Sequence, residues 1–480
     1  MDNAVFGLQP IHHILKEVSA IFAGHDKQLY LVGGAIRDSL RGQKAQDWDL
    51  ATDALPEEVI AMFRRPDSAN SRGRSFRGFV VPTGIKHGTV TVHYRGRSME
   101  ITTFRKESGY SDGRRPDKVE FGVSIEADLS RRDFTMNALA YRLPHGPLVD
   151  PFEGRADIRA RIIRCVGKPR ERFAEDGLRP LRALRFASQL DFRIDDELLE
   201  AIPNALPLCA GVAPERIREE LDKIIASSKP STGFLLMEKT GLLRSLLPEL
   251  DYCRGIKQDR QDGSGLHRFD VLDHSLLALD YAAQKGTDTE VRLAALFHDL
   301  GKPLVRNRDE AGNWTFYQHE RESSRLAREF FLRLRYPRAV MEKVCHLIEQ
   351  HMFFYEDTWK DSTIRRFIIR VGEENLKSLY ELRRADSFAL AKIEPPPELL
   401  LPLMDRVNAI LAEKKVLSLK DLAINGTDLM DRGIKPGKYM GLLLGELLEA
   451  VLDDPELNTR EKLLEIAIKL NERRGNNSHE

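Results

Sequence analysis

At 480 residues the chain is too long for one compact module, and at ~150 residues per domain about three are expected. Hydrophobic residues make up 42% and charged residues 31%, which excludes a largely disordered or collagen-like chain. Lys plus Arg and Asp plus Glu both number 74, so nucleic acid cannot be bound by bulk charge, although a local basic groove balanced by acid elsewhere is allowed. Cys165, Cys209, Cys253 and Cys345 are scattered with no CxxC pair, as expected in a reducing cytoplasm. The first thirty residues hold no basic segment followed by an apolar run, and no stretch approaches the ~20 apolar residues of a membrane helix. The expectation is a cytoplasmic chain with no membrane partner.

Residues 10 to 23 carry apolar side chains at helical spacing (Ile11, Ile14, Leu15, Val18, Ile21, Phe22). QLYLVGG then reads as a short buried strand ending in a glycine turn, and AIRDSLRG as a helix. Strand-like runs follow at 47 to 51, 88 to 94 and 98 to 104, with a Gly/Arg/Ser/Pro-rich stretch at 66 to 78 that reads as an exposed insertion. From about residue 155 amphipathic helical patterns take over. The fold class is therefore α+β: a mixed-sheet head followed by helical domains. Joints are expected near Pro144 to Pro151, near Gln258 to Gly265 and at Glu394-Pro395-Pro396-Pro397. They divide the chain into 1–145, 146–257, 258–393 and 394–480.

Asp47 and Asp49 are two apart in DWDLAT, and residues i and i+2 of a strand project from one face, so both carboxylates can grip one hard cation. A solvated edge strand would read the same. Upstream, Gly33-Gly34 sits at a strand-to-helix junction where backbone N–H groups can approach a phosphate, and Arg37 one turn on offers a forked donor. A phosphate cradle just ahead of a carboxylate pair makes a coherent nucleoside triphosphate site. Glu100 on the strand SMEITTF can supply a third carboxylate or be a solvated strand residue.

The run LVGGAIRDSLRGQKAQDWDLATDA resembles the first signature of the DNA polymerase beta superfamily as found in bacterial-type (class II) tRNA nucleotidyltransferases, the CCA-adding enzymes, and their poly(A) polymerase relatives. Further signatures stand in the family's order: RRDFTMNALAY at 131 to 141, DPFEGRADIRARIIRCVG at 150 to 167, EDGLRPLRALRFA at 175 to 187 and APERIREELDKII at 213 to 225. The resemblance implies that Asp47 and Asp49 hold magnesium for transfer to the tRNA 3′ end from CTP and ATP, with contacts to the acceptor stem and elbow.

In SRRDFTMNALA, Ser130 and Asp133 read as a capping box that starts a helix, with Asp133 and Asn137 on one face. The resemblance turns that face to the nucleotide's ribose, with Arg132 near sugar or phosphates; otherwise Asn137 belongs to a buried polar network bracing the head. In EDGLRPLR, Asp176 and Arg179 are three apart, and a helix would set them side by side. An arginine can donate to cytosine N3 and O2 or adenine N1, while an aspartate can accept from the exocyclic amine both bases carry. Uracil and guanine present a carbonyl there and leave the carboxylate unpaired. Arg182, in the same motif, is grouped with them as a nucleotide contact. The Gly- and charge-rich stretch RKESGYSDGRRPDKVEF reads as a mobile loop, which the resemblance associates with the switch from C to A addition. TGIKHGTVTV at 83 to 92 resembles the CCA-adding pattern more than that of poly(A) polymerases.

Downstream, His274, His298-Asp299, His319, His351 and Asp386 form an ordered array suited to a divalent ion between helices. The order H…HD…D, with Lys302 after it, resembles the HD superfamily of metal-dependent phosphohydrolases. It implies a divalent metal (Mg2+, Mn2+ or Ni2+) on His274, His298, Asp299 and Asp386, to which His319 and His351 can add. The last segment, around Gly433-Ile434-Lys435-Pro436-Gly437, resembles the family's C-terminal unit and reads either as an RNA phosphate contact through Lys435 or Lys438 or as a helical hairpin capping the preceding domain. The alternatives to CCA addition are an A-adding enzyme completing CC ends, a poly(A) polymerase, and an HD phosphohydrolase whose other half only binds RNA.

Overall fold

The computed structural model describes residues 12–43, 47–63, 78–109, 117–258, 269–413 and 418–476. Two compact units divide at Asp251/Tyr252.

The first unit opens with α1 (His13–Ala23), which buries the helical stripe Ile14, Leu15, Val18 and Phe22. β1 (Leu29–Val32) is apolar at every position and buried at every position, as a central strand must be. It turns through Gly33 into α2 (Gly34–Leu40). Gly33 has φ 70° and ψ −131°, and a Cβ there would stand 2.8 Å from Arg132 Nη1, so only glycine fits. After β2 (Asp49–Thr52) and α3 (Pro56–Met62) come β3 (Gly78–Gly84), β4 (Thr89–Tyr94), β5 (Arg97–Thr103), the hairpin β6 (Arg105–Ser108) and β7 (Lys118–Phe121), and α4 (Ile125–Ser130). β8 (Ala140–Arg142) and β9 (Leu148–Val149) complete a seven-stranded sheet in the order β3-β4-β5-β2-β1-β8-β9. Within this sheet, among the described residues, β2 and β5 alone pair in parallel, which sets Asp49 directly opposite Glu100. Tyr30, Val32, Ala51, Phe104, Ile125, Leu129, Ala138 and Ala140 form one continuous core on this sheet.

Four expectations need correction. β2 begins at Asp49, so Asp47 sits in a bend before the strand and strand alternation is not what positions it. Ser130 ends α4 instead of opening a helix; the cap is Ser124, whose side chain accepts from the Ala127 N–H. Asp133 lies in irregular backbone ahead of a single 3-10 turn, Thr135–Asn137. β3 is an edge strand hidden by Pro82, which an edge tolerates, and the ends of the loop-like RKESGYSDGRRPDKVEF pair as β6 and β7. Residues 110–116 of that stretch and 66–77 of the insertion lie outside the described residues.

The first unit continues through α5 (Gly154–Ala160), α6 (Pro169–Glu175) and α7 (Arg179–Leu190) to further helices ending at Asp251. Asp150 accepts from the N–H groups of Gly154 (2.7 Å) and Arg155 (3.1 Å), starting α5. A Cβ on Gly154 would collide with the Thr135 carbonyl, so this glycine lets α5 lie against the 3-10 turn. The Thr135 hydroxyl then donates to Asp157 at 2.6 Å.

Among its described residues the second unit's regular structure is helical apart from the strand pair Asn307–Arg308 and Trp314–Thr315. Helices Val271–Gln284, Thr289–Phe297, His319–Arg333, Arg338–Gln350 and Glu373–Ala391 pack together, while Lys438–Asp453 and Arg460–Asn476 enclose an apolar cluster around Leu443, Leu447 and Leu463. Among the described residues no helix is long and apolar enough to cross a membrane.

Candidate active site and metal centre

Strands β2 and β5, the segment after α4, and the junction of α6 with α7 enclose a cleft of about 350 Å³. Asp49 and Glu100 stand at one part of its wall, Arg132 and Asp133 continue it, and Asp176, Arg179 and Arg182 complete it. Carboxylates suited to a cation thus share one cavity with the groups suited to reading a base edge. Asp47, Gly33, Gly34, Arg37 and Asn137 are not on this wall.

Asp49 and Glu100 face each other in register with no ion-pair partner among the described residues. The Asp49 side chain opens to the cleft, yet loss of solvent to the surrounding walls raises its carboxyl pKa, Arg132 opposes that, and the nearby Asp47 adds to it. Two unpaired carboxylates side by side are the donor set a hard divalent cation requires, so the residues fit such an ion.

Arg37 is buried and turned inward. It donates to Asp38 (Nε and Nη2, both 2.9 Å) and to the side-chain oxygen of Asn137 (2.8 Å). Asn137 in turn donates to Asp133 at 3.3 Å, so the two do meet, through the 3-10 turn. Arg132 packs beside Gly33 and donates to the Asn137 carbonyl at 3.4 Å. Asp133 accepts from Arg182 Nε (2.9 Å) and Nη2 (2.6 Å) in a bidentate pair. Burial would push the Asp133 carboxyl up, but the charge and hydrogen bonds of Arg182, with help from Arg179 and Asn137, bring it down to about 2.

The expected helical pairing of Asp176 with Arg179 is replaced by something more rigid. Asp176 lies in extended backbone between α6 and α7, and Arg179 is the first residue of α7. Asp176 is gripped by Arg216, at 3.1 Å (Nη1) and 2.7 Å (Nη2). Arg179 is held by Glu175 and by the carbonyls of Arg172 (2.9 Å) and Arg131 (3.1 Å). Two side chains are thus fixed separately, each by its own partner, and both face the cleft. Arg131 on the cleft wall and Arg216 behind Asp176 escaped the sequence reading. Arg216 stands in the run APERIREEL, whose family resemblance was the one available signal.

In the second unit, His274 comes from one helix, His298 and Asp299 from the end of the next, His319 from the start of a third, His351 from just past a fourth and Asp386 from a fifth. All six are buried. His274 Nε2 lies 3.2 Å from His298 Nε2 and 3.1 Å from Asp386 Oδ1. His319 Nε2 lies 3.3 Å from His351 Nε2 and 3.2 Å from Asp299 Oδ1. Lys302 Nζ is 2.7 Å from Asp299 Oδ2 and 2.6 Å from Gln258 Oε1. Asp299 is shared by two triads whose ligand atoms converge, with His274 and His298 on one side and His319 and His351 on the other.

The tautomers follow from the partners. His298, His319 and His351 each direct Nδ1 at a backbone carbonyl, of Ala295 (2.9 Å), Phe316 (2.7 Å) and Ile348 (2.7 Å). A carbonyl only accepts, so Nδ1 carries the proton and each neutral ring turns the lone pair of Nε2 inward. Lone pairs facing one another at 3.3 Å repel unless a cation lies among them, and the donor set therefore fits a divalent metal. Without one, a proton takes that role: burial disfavours a charged His298, but Asp299 and Asp386 outweigh it and raise its pKa to about 10. Burial and the neighbouring histidines push His351 down to about 3.

The chain matches the poly A polymerase head domain over residues 29–164, the "probable RNA and SrmB- binding site of polymerase A" over 191–253, and the HD domain over 271–401. A CCA-adding enzyme of Limosilactobacillus reuteri is 32% identical over 458 residues, 95% of either chain, and one of Anoxybacillus flavithermus is 33% identical over 94% of this chain and 96% of that one. The crystal structure of the Bacillus stearothermophilus CCA-adding enzyme in complex with CTP superposes with a TM-score of 0.72 at 27% identity, covering 98% of this chain and 100% of that one. Full-length similarity to these relatives, on top of a head cleft that joins the carboxylates of Asp49 and Glu100 to Asp176 and Arg179, makes the chain a member of the CCA-adding enzyme family.

Proposed function

We propose that this protein adds CCA to the 3′ end of tRNA from CTP and ATP without a nucleic acid template, in the cleft of the first unit. The observation that carries the reading is that Asp49 and Glu100 share one cavity of about 350 Å³ with Asp176 and Arg179. Magnesium on Asp49, Asp47 and Glu100 would supply charge neutralisation at the triphosphate and lower the pKa of the attacking 3′-hydroxyl. Arg132, Arg131 and Arg182 line the cleft with positive charge for the phosphates. Arg179 donates to the acceptor edge of cytosine or adenine, and Asp176, held by Arg216, accepts from the exocyclic amine. Gly33, Gly34, Arg37 and Asn137 act from behind the wall, holding Arg132 and Asp133 in place.

The working division is a catalytic head (1–145), a helical body with the base-reading motif (146–257), a metal-binding HD domain (258–393) and a tail that meets tRNA (394–480). The four free, buried cysteines support work in the reducing cytoplasm. The convergent Nε2 atoms support a second activity, hydrolysis of a phosphoester in the HD domain, where Mg2+, Mn2+ or Ni2+ would supply an activated water and Lys302 a charge for the phosphate.

The test is incubation of tRNA ending at the discriminator base, or at CC, with CTP and ATP, reading products at single-nucleotide resolution. Complete CCA on the first substrate is expected. Extension of the CC-ended substrate alone would identify an A-adding enzyme, and a long A tail a poly(A) polymerase.

A further inference from the structure

The head sheet carries, beside its carboxylates, side chains that the cleft does not use. Cross-strand register sets Asp49, Glu100 and Thr91 in one row. Two residues along the same strands a second row follows, made of Ser98, His93 and Phe79. Residues two apart on a strand share a face, so both rows look the same way, while Val90, Val92, Met99 and Ile101 between them are buried on the other face. On the opposite side of the carboxylate row stands Thr102, which lines the cleft together with Arg132, Asp176 and Arg179; Ser98, His93 and Phe79 lie outside it. The carboxylates thus have a cavity on one side and an open sheet surface on the other.

That surface is built around a pair of rings. Phe79 is 59% exposed although it sits within β3. His93 stacks on it with ring centroids 4.5 Å apart and planes at 20°. Ser98 Oγ lies 2.8 Å from His93 Nδ1 and fixes the orientation of the imidazole. One side of the phenyl ring is taken, and the rest faces solvent. Beside Glu100, the described residues of this face on β3, β4 and β5 are hydroxyls, Val81, His93 and Phe79, with no lysine or arginine. Such a face cannot grip phosphates. What it offers is a preordered flat ring, which suits any base because every base has a π face to stack.

At ~3.3 Å per residue along a strand and ~4.8 Å between strands, His93 and Phe79 stand about 8 and 12 Å from Glu100. The last few nucleotides of a stacked strand cover that distance, at roughly 3.4 Å each. We propose that the ring pair of Phe79 and His93 is the platform on which the unpaired 3′-terminal bases of the acceptor tRNA stack. The terminal hydroxyl then meets the carboxylates from the side opposite the incoming nucleoside triphosphate. This rests on the nucleotidyl-transfer reading of the cleft. The site must accept three ends in turn: the discriminator base, C and CC. A hydrogen-bonding pocket would select one of them, whereas stacking serves all.

The experiment uses the full chain with magnesium and a tRNA ending at the discriminator position, which carries 2-aminopurine, a base whose fluorescence falls when it stacks. The signal should fall on binding to the wild-type protein and to Phe79→Tyr, and much less with Phe79→Leu, which keeps an apolar side chain without a ring face. In steady-state addition with saturating CTP, kcat/KM for tRNA should drop about tenfold in Phe79→Leu and in His93→Ala, with the KM for CTP unchanged and Phe79→Tyr close to wild type. Wild-type quenching and rates in both Phe79→Leu and His93→Ala would overturn the proposal. So would an equal rise in the KM for CTP, which would place the rings in the nucleoside triphosphate site. If the wild-type protein adds nothing to tRNA, the transfer reading falls by itself, and the fluorescence still decides whether the rings stack the terminal base.

Discussion

Asp133 and Arg182 stand 49 residues apart in the chain and close a bidentate ion pair that fastens the head motif RRDFTMN to helix α7. The Asp133 carboxyl is held down to about 2 in the folded protein, below its ordinary 3.8. A depressed carboxylate pKa stabilises the fold above the unfolded value and loses that contribution as pH falls through the folded one, a window here from about 4 down to 2. The shift corresponds to about 2 kcal/mol at neutral pH. Arg182→Ala should therefore destabilise the protein by ~3 kcal/mol at pH 7, because it also strands a buried charge, and by clearly less near pH 3. Calorimetry at the two pH values checks this; an equal deficit at both would mean that the pair is not the source.

Asp49→Ala should abolish addition of both C and A, by at least about a thousandfold, since both reactions share one set of carboxylates. Asp47→Ala is expected to do the same, and Glu100→Gln to slow both additions alike. Single-turnover extension of tRNA with magnesium present is the measurement, and near-normal transfer by the Asp49 variant would remove it from the chemistry.

Arg216 does not line the cleft, yet it fixes Asp176 with two hydrogen bonds. Arg216→Ala should thus reproduce the Asp176→Ala phenotype: misincorporation of UTP or GTP rising about tenfold or more as overall activity falls. Arg179→Ala should err likewise. Competition assays with paired nucleotides read this directly. Full discrimination in Arg216→Ala would show that Asp176 needs no such support.

The His298 proton, held to about pH 10 by Asp299 and Asp386, must leave when a metal binds. Metal affinity of the second unit should therefore rise about tenfold per pH unit between pH 6 and 8, with about one proton released per ion. Titration calorimetry in buffers of different ionisation enthalpy counts it. His298→Ala with Asp299→Ala should remove the metal and any phosphohydrolase activity while tRNA extension persists.

Much of this was legible in the residues. The buried run LYLV and the glycine junction translate directly into β1 and the turn at Gly33, because periodicity and spacing encode them locally, while the histidines and acids, quoted for their order along the chain, come together as a buried cluster of six. Illegible were the long-range partners. Nothing near Asp176 says that Arg216 holds it, and nothing near Arg37 says that its guanidinium faces Asn137 in place of a phosphate. The spacing Asp176 to Arg179 implied one helix because the break falls between them, at a residue type that helices also tolerate. β3 was masked by its proline, which reads as a loop signal unless the strand is known to be at an edge.

Gly154, seated against the carbonyl of Thr135, gives the segment 150–164 authority over a cavity to which it contributes no side chain. Anything larger than a hydrogen at that position must push the 3-10 turn, and the turn carries Asn137 while its neighbour Asp133 anchors Arg182. Damage of this kind displaces the whole wall at once, so it lowers the handling of cytosine and adenine in equal proportion and leaves the choice between them and other bases intact. A screen for failed tRNA maturation would collect such lesions beside those in the cleft, and the ratio of C to A addition would sort architects from readers.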